Sequence, residues 1–300
     1  MPLVSIIDRL LAPDSTFQKR FFFLAKRFVS GETIASALDA VARLNAAGMS
    51  ATLDFLGEDV YEREAAAKIR DVYLEMLDAI RLSGLDTNVS VKLTAMGMHV
   101  SDDFALENLN AVLDKASANR DPFVRVDMEG SAVTERTLAI TQRAFAERKN
   151  VGEVLQAYLT RTKDDVAKAI DLGIRVRICK GAYEEPAEIA IKAMPEIREA
   201  YKAEAFALMT RGNYPGIATH DVALIEQIQA FARANGIGPE KFEFQMLYGC
   251  RPQVQRRLVA EGWRVRIYVP FGTHWAGYFY RRVLERRENL WFAISSMFSK

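Results

Sequence analysis

Cysteine is nearly absent: Cys179 and Cys250 are the only two in 300 residues, far apart and in no CxxC pair. That excludes a disulfide scaffold and a cysteine zinc site, and it fits a reducing compartment. Histidine is equally scarce. His99, His220 and His274 are scattered with no HxH or HExxH spacing, so a metal centre has little to build on, Thr219-His220-Asp221 offering one ligand at most. No apolar run approaches the ~18 residues of a membrane-spanning helix. The N-terminus, Met1-Pro-Leu-Val-Ser-Ile-Ile-Asp-Arg-Leu10, carries an acid and a base inside a short apolar run and does not read as a secretion signal. Net charge is missing too: 40 basic against 39 acidic side chains leave +1, which removes any electrostatic reason to expect nucleic acid as a partner. No GxGxxG follows a strand and no Walker loop is present, so a Rossmann dinucleotide site and a P-loop are both excluded.

What is present is an alternation. Half the residues are hydrophobic, enough for a sizeable core. Two helical patterns lead, over residues 5–30 (with the cluster Phe21-Phe22-Phe23) and over 33–47. Strand patterns follow at 49–55, 89–94, 123–128, 153–157, 174–180, 216–220, 241–247 and 264–270. In the last of these Val265, Ile267 and Val269 alternate with Arg264, Arg266 and Tyr268, and Pro270 is expected to stop the strand. Helical patterns sit between them at 60–82, 103–118 with Ser101 as cap, 129–148, a short stretch ending near Gly173, most of 186–211, 222–235 with Asp221 at its head, and 252–261. A final helix is expected from Trp275. Eight strand–helix units, filling about the ~250 residues of a (β/α)8 barrel, predict an α/β fold of the TIM type. Residues 1–48 are expected to pack on the barrel as additional N-terminal helices, and 49–300 to form it. An open doubly wound sheet is the structural competitor.

In such a barrel the chemistry sits at the C-terminal ends of the strands. The polar residues there are Asp54, Lys92, Thr94, Asp127, Glu129, Gln156, Arg177, Lys180, Thr219, His220, Asp221, Gln245, Tyr248 and Tyr268. Asp221 reads as a helix cap. On the final helix Tyr278 lies three and four residues before Arg281 and Arg282, and Arg281 four before Glu285, so all four can share one side. Glu285 can hold one guanidinium and leave the other to fork onto a substrate carboxylate. Lys92, Arg177, Lys180, Arg281 and Arg282 then make a cationic ring with few acids, which asks for anionic ligands. Arg177, Lys180, Gly181, Ala182 and Tyr183 together suit a phosphate-bearing isoalloxazine: a cation pair, a glycine turn whose N–H groups meet phosphate, and an aromatic to stack. A Schiff-base lysine at Lys92 or Lys180, its pKa lowered by neighbouring arginines, is the rival chemistry.

The same stretches carry a resemblance. Val91-Lys-Leu-Thr94, Val126-Asp-Met-Glu129, Leu155-Gln-Ala-Tyr158, Arg175-Val-Arg-Ile-Cys-Lys-Gly-Ala-Tyr183, Ala218-Thr-His-Asp221, Phe244-Gln-Met-Leu-Tyr-Gly249, Arg266-Ile-Tyr-Val-Pro-Phe-Gly272 and Tyr278-Phe-Tyr-Arg-Arg-Val-Leu-Glu285 follow one another in order. Together they resemble the proline dehydrogenase family in its short monofunctional bacterial form. The resemblance implies FAD, with FMN left open, and oxidation of L-proline to Δ1-pyrroline-5-carboxylate with a quinone as electron acceptor. It implies that Lys92, Arg281 and Arg282 hold the proline carboxylate, that Tyr268, Tyr278 and Leu247 shape the pocket, and that Asp127 orients the cations. It sets Arg177 against the flavin N5 side, with Met128, Gln156, Lys180, Gly181, Ala182, Thr219 and His220 lining the cofactor. A separate chain would then supply pyrroline-5-carboxylate dehydrogenase. The expected location is cytoplasmic, with Phe21–Phe23 available for peripheral membrane contact.

Overall fold

The structure, a computed structural model, describes residues 26–275 and Tyr278. The Phe21–Phe23 cluster, Arg281, Arg282 and Glu285 therefore lie outside the described residues, as does most of the stretch where a final helix is expected.

The first described helix, α1 (Ile34–Ala46), opens with a capping box: the Thr33 hydroxyl accepts from Ser36 N–H at 3.2 Å and the Ser36 hydroxyl accepts from Thr33 N–H at 3.2 Å. The barrel follows as β1 (Ser50–Phe55), α2 (Arg63–Ser83), β2 (Thr87–Val91), α3 (Asp102–Ala116), β3 (Val124–Val126), α4 (Ser131–Glu147), β4 (Val151–Gln156) and α5 (Thr162–Leu172). The second half is β5 (Arg175–Cys179), α6 (Met194–Arg211), β6 (Gly216–Ala218), α7 (Val222–Ala234), β7 (Glu243–Leu247), α8 (Pro252–Ala260) and β8 (Val265–Phe271). All eight strands are parallel and pair in chain order, and β8 closes onto β1 with Thr52 opposite Tyr268 and Asp54 opposite Pro270. The expected closed barrel is thus present.

Three expectations need correction. Pro270 does not stop β8, which runs on to Phe271. Proline lacks only the donor, and its carbonyl still accepts from Ser30 N–H at 3.0 Å and the Ser30 hydroxyl at 3.2 Å, which ties the chain before α1 to the strand end. The helix expected across most of 186–211 begins only at Met194. Residues before it return to the end of β4, where Ile191 N–H donates to the Tyr158 carbonyl at 2.7 Å and Leu159 bridges Ala190. Finally, β3 and β6 are three residues each, so Asp127, Met128, Thr219 and His220 sit just past their strands.

Each strand has two buried faces. The outer one is apolar: Val89, Val91, Val124, Val126, Val176, Ile178, Ile267 and Val269 join one core with helix residues such as Leu77, Leu109 and Ile225. The inner face is polar. Thr52, Asn88, Arg125, Arg177, Glu243, Gln245 and Arg266 border a common cavity inside the barrel, where branched apolar side chains usually dominate. Buried charge is tolerated only when paired and hydrogen-bonded, and most of it is. Arg266 donates from Nε to Glu243 at 2.7 Å and from Nη1 to the Ala51 carbonyl at 2.7 Å, and lies 3.2 Å from Asp121. Burial works against the Glu243 charge, but Arg266 more than offsets it and holds the carboxyl below its ordinary range.

Glu204 on α6 is an exception. It is buried, its Oε2 has no hydrogen-bond partner among the described residues, and burial pushes its pKa up to about 8. An unfolded glutamate titrates near ~4.3, so between that value and about 8 the folded chain retains a proton that the unfolded chain releases, and stability falls as pH rises through that window. Glu204→Gln is expected to match the parent in urea unfolding near pH ~4 and to exceed it by up to about 5 kcal/mol near pH ~9. Equal stabilities at the alkaline pH would contradict this.

Candidate active site

The chain leaves β3 at Asp127, whose N–H donates to the Val91 carbonyl at 2.8 Å. That bond aims the carboxylate into the barrel mouth, where three strands meet it. Oδ1 accepts from the Ser90 hydroxyl at 2.6 Å and from Arg177 at 2.6 Å, while Oδ2 accepts from the Tyr268 hydroxyl at 2.8 Å. Asp127 and Arg177 are each 8% exposed. The Arg177 guanidinium also lies 5.3 Å from the Tyr268 ring centroid, in cation–π range. Burial and then Asp127 push the Tyr268 phenol well above its usual range, so it remains a donor.

Arg177 is held from below as well. Its Nε donates to Gln245 Oε1, and Gln245 Nε2 donates to Glu243 at 2.6 Å. The amide has a cation on one side and a carboxylate on the other, so only one of its two orientations works. Gly216 makes room for it: a Cβ there would fall 2.4 Å from Gln245 Nε2. A continuous chain of charge-assisted hydrogen bonds therefore runs from Arg266 through Glu243, Gln245 and Arg177 to Asp127 at the mouth.

Lys92, two residues past Ser90 on the same face, donates to both oxygens of the fully buried Asp54 at 2.9 and 2.8 Å. Burial opposes its charge, yet Asp54 and then Asp127 outweigh burial and keep the ammonium above its ordinary pKa. Burial likewise raises Asp54, against the pull of Lys92. This reverses the expectation of a lysine with a lowered pKa. The expected ring of cations with few acids is corrected too, since Lys92, Arg177 and Lys180 each have a carboxylate partner.

A second group gathers past β4, β5, β6 and β7. Lys180 lies 3.3 Å from Asp221 Oδ2, and Arg198 on α6 donates to the same oxygen at 2.8 Å. Burial alone would raise Asp221, but these two cations hold it below the usual range. Asp221 occupies the N-cap position of α7, yet its side chain makes no capping bond, so the expected cap is corrected to a counter-ion. His220 Nε2 accepts from Leu247 N–H at 2.9 Å, which leaves the ring proton on Nδ1 in the neutral form. Thr219 takes the Asp221 N–H at 3.1 Å. Gln156 donates to the Glu129 carbonyl at 3.0 Å, beside the largely buried Met128. Gly181 has φ +112°, and a Cβ there would be 2.1 Å from the Tyr158 ring, so no other residue fits between Lys180 and Ala182 without displacing that ring. Leu247 packs beside Tyr278, Trp275, Phe28 and Leu56.

The structure thus joins Asp127, Arg177 and Tyr268 in one hydrogen-bonded cluster beside the Lys92–Asp54 pair, links Lys180 and Thr219 through Asp221, and links His220 to Leu247. Arg281 and Arg282 lie outside the described residues. Ser90, Arg198 and the partner roles of Asp54 and Gln245 escaped sequence reasoning. Period-two spacing does place Ser90 on the Lys92 face and Gln245 on the Glu243 face, whereas nothing in α6 marks Arg198.

Replacing Gln245 by Met leaves the buried Arg177 Nε without its acceptor and Glu243 without one donor. Gln245→Met is expected to lower stability by about 2–4 kcal/mol in urea unfolding, from two lost hydrogen bonds to charged groups. A loss below about 0.5 kcal/mol, the size of an ordinary surface change, would contradict the relay.

The whole-chain comparisons agree with this arrangement. The chain matches the family described as proline dehydrogenase over residues 37–294. It is 38% identical over 276 residues to proline dehydrogenase 1 of Bacillus subtilis subsp. natto, covering 92% of this chain and 91% of that protein. To the proline dehydrogenase of Deinococcus radiodurans it is 36% identical over 285 residues, covering 93% and 92%. A crystal structure of proline utilization A from Bdellovibrio bacteriovorus, inactivated by N-propargylglycine, superposes with a TM-score of 0.84 at 24% identity over 93% of this chain and 36% of that one, which speaks for the fold. Barrel, motifs and relatives converge: the chain belongs to the proline dehydrogenase family.

Proposed function

We propose that the chain is a flavin-dependent proline dehydrogenase that oxidises L-proline to Δ1-pyrroline-5-carboxylate, the first step of proline catabolism, and passes the electrons to a quinone. The observation that carries this reading is the buried Asp127–Arg177–Tyr268 cluster beside the Lys92 ammonium at the barrel mouth, in a chain of this family.

The residues fit a flavin. Lys180 and Arg198, with one carboxylate between them, and the first turn of α7, which no side chain caps, match phosphate. The corresponding turn of α4 is taken by Glu185, whose carboxylate accepts from Ser131 N–H at 2.7 Å and from the Ser131 hydroxyl. The phosphates therefore belong on the β5–β6 side. Gln156, Met128, Gly181, Ala182, Thr219 and His220 would line the ring and ribityl portion, and Arg177 would lie against N5. FAD is the form the family implies, with FMN as the alternative.

When bound, flavin supplies the two-electron acceptor. The chain supplies the rest. Lys92, Arg281 and Arg282 would grip the proline carboxylate, so that the opposite edge of the ring, C5, is presented to the acceptor. Tyr268, Tyr278 and Leu247 would close around the ring and exclude water. Asp127 accepts from three donors and is a positioning residue, holding Arg177 and Tyr268 in place. Arg177 would offset negative charge gathering on the acceptor. The Schiff-base reading is disfavoured because Asp54 and Asp127 keep Lys92 charged and poorly nucleophilic.

The proposed domain division sets residues 1–48 as a segment that would pack on a barrel of 49–300; α1, where Ala37, Ala40 and Val41 join the shared core, supports it. Among the described residues no helix is long and apolar enough to cross a membrane. A cytoplasmic enzyme meeting its quinone through peripheral contact, with pyrroline-5-carboxylate dehydrogenase as a separate chain, completes the proposal.

The purified protein is expected to be yellow and to bleach when proline is added without oxygen. Arg281→Met and Arg282→Met should each raise KM for proline about 10–100-fold, as loss of one charge-assisted contact predicts, and lower kcat, with flavin content unchanged. A colourless protein, or kinetics unmoved in both variants, would sink the assignment.

A further inference from the structure

At the end of the barrel away from the mouth lies a second concave site that the reaction does not use. It is a cavity of about 10 Å³ whose wall includes Arg125, Arg175, Arg177 and Arg266, together with Glu243 and Asn88. Its charge is unbalanced. Arg177 pairs with Asp127, and Arg266 pairs with Glu243 and Asp121. No carboxylate lies within ion-pair distance of Arg125 or Arg175 among the described residues. Glu243 and Asp127 reach Arg125 only at longer range. Glu153 gives Arg125 its backbone carbonyl at 2.9 Å but turns its carboxyl outward to Gln142.

Arg125 is the telling residue. It is 4% exposed, and its Nε has no hydrogen-bond partner among the described residues. Its guanidinium shares the Phe123 ring with that of Arg175, at 4.6 and 5.0 Å from the centroid. Two cations on one ring repel, and a buried guanidinium without a counter-charge is costly. The missing ingredient is one negative charge, and the cavity borders each of the four guanidiniums.

We propose that this cavity binds a small monovalent inorganic anion of halide size, chloride in the cell, with Arg125 and Arg175 as its principal ligands. The volume decides the class. About 10 Å³ has room for about one water-sized centre, so a single-atom anion is the smallest species that brings the missing charge to the arginines. The bound anion offsets the repulsion between Arg125 and Arg175 and steadies the floor on which Glu243, Gln245 and Arg177 are stacked. This inference concerns the empty-handed protein and holds or fails whatever the substrate is.

The test uses the whole purified protein. Thermal unfolding is followed in sodium chloride against sodium gluconate at equal ionic strength, so that general screening is matched. Chloride should raise the midpoint with the logarithmic concentration dependence of a single site, by about 3–5 °C at about 100 times its Kd, and bromide should do the same. Arg175→Gln, at the half-buried rim, should weaken the apparent affinity at least about tenfold, and Arg125→Gln should abolish the response. If Arg125→Gln does not fold, the parent protein and Arg175→Gln decide. Crystals soaked in bromide should show an anomalous peak within contact of Arg125 and Arg175. No difference between chloride and gluconate overturns the proposal, and so does a peak without chloride-specific stabilisation, which marks an adventitious ion only.

Discussion

The ion pair between Asp127 and Arg177 is the contact on which the rest of the barrel interior depends. Both groups are nearly inaccessible, so neither could be left alone: losing one partner of a buried pair costs roughly 3–5 kcal/mol. Such a pair is weak evidence for stability as such. Its value here is positional, because Ser90, Tyr268 and Gln245 all converge on it and leave each group one geometry. Through Gln245 and Glu243 that geometry is continuous with the far end of the barrel. The polar interior thus acts as a rigid post that sets Arg177 and Tyr268 at the mouth.

The same logic explains why the mouth has so little unpaired charge among the described residues. Asp54 holds Lys92, and Asp221 holds both Lys180 and Arg198. Each of these three cations is oriented by a carboxylate that can be shared with an incoming ligand. Preorganised charge of this kind stabilises a bound anion without having to rearrange. A single Asp221 between two cations leaves spare positive charge where cofactor phosphate is proposed. A fully buried Asp54 holds the Lys92 ammonium by both carboxylate oxygens, beside the Asp127 cluster where the substrate carboxylate is proposed.

Much of this was legible in the sequence, for reasons that also mark its limit. Alternation in Val265–Tyr268 identified β8, and eight such patterns separated by helical ones identified a barrel. Period two shows that a strand has two faces but not which one turns inward. Here Arg266 and Tyr268 point into the barrel and Ile267 and Val269 face the helices, so a charged interior was not foreseen. Pro270 read as a terminator because its missing donor is visible in sequence while the Ser30 contact to its carbonyl, 240 positions away, is not. Asp221 read as a cap because position predicts caps well, but two long cations reached it first. The Lys92–Asp54 pairing spans 38 positions, and no local spacing encodes it. The motifs named the residues, and the closed barrel supplied their partners.

The central claim is that this post presents one end of proline to a flavin while the other end is gripped by cations. The most direct measurement is a crystal structure of the flavin-loaded protein with a saturated five-membered-ring carboxylate that lacks the amine. The account predicts the carboxylate on Lys92, Arg281 and Arg282, the ring against Tyr268, its far edge toward the flavin, and the Asp127–Arg177 pair intact. A ligand carboxylate lodged elsewhere, or a flavin on the side of the barrel away from Arg177, would contradict it.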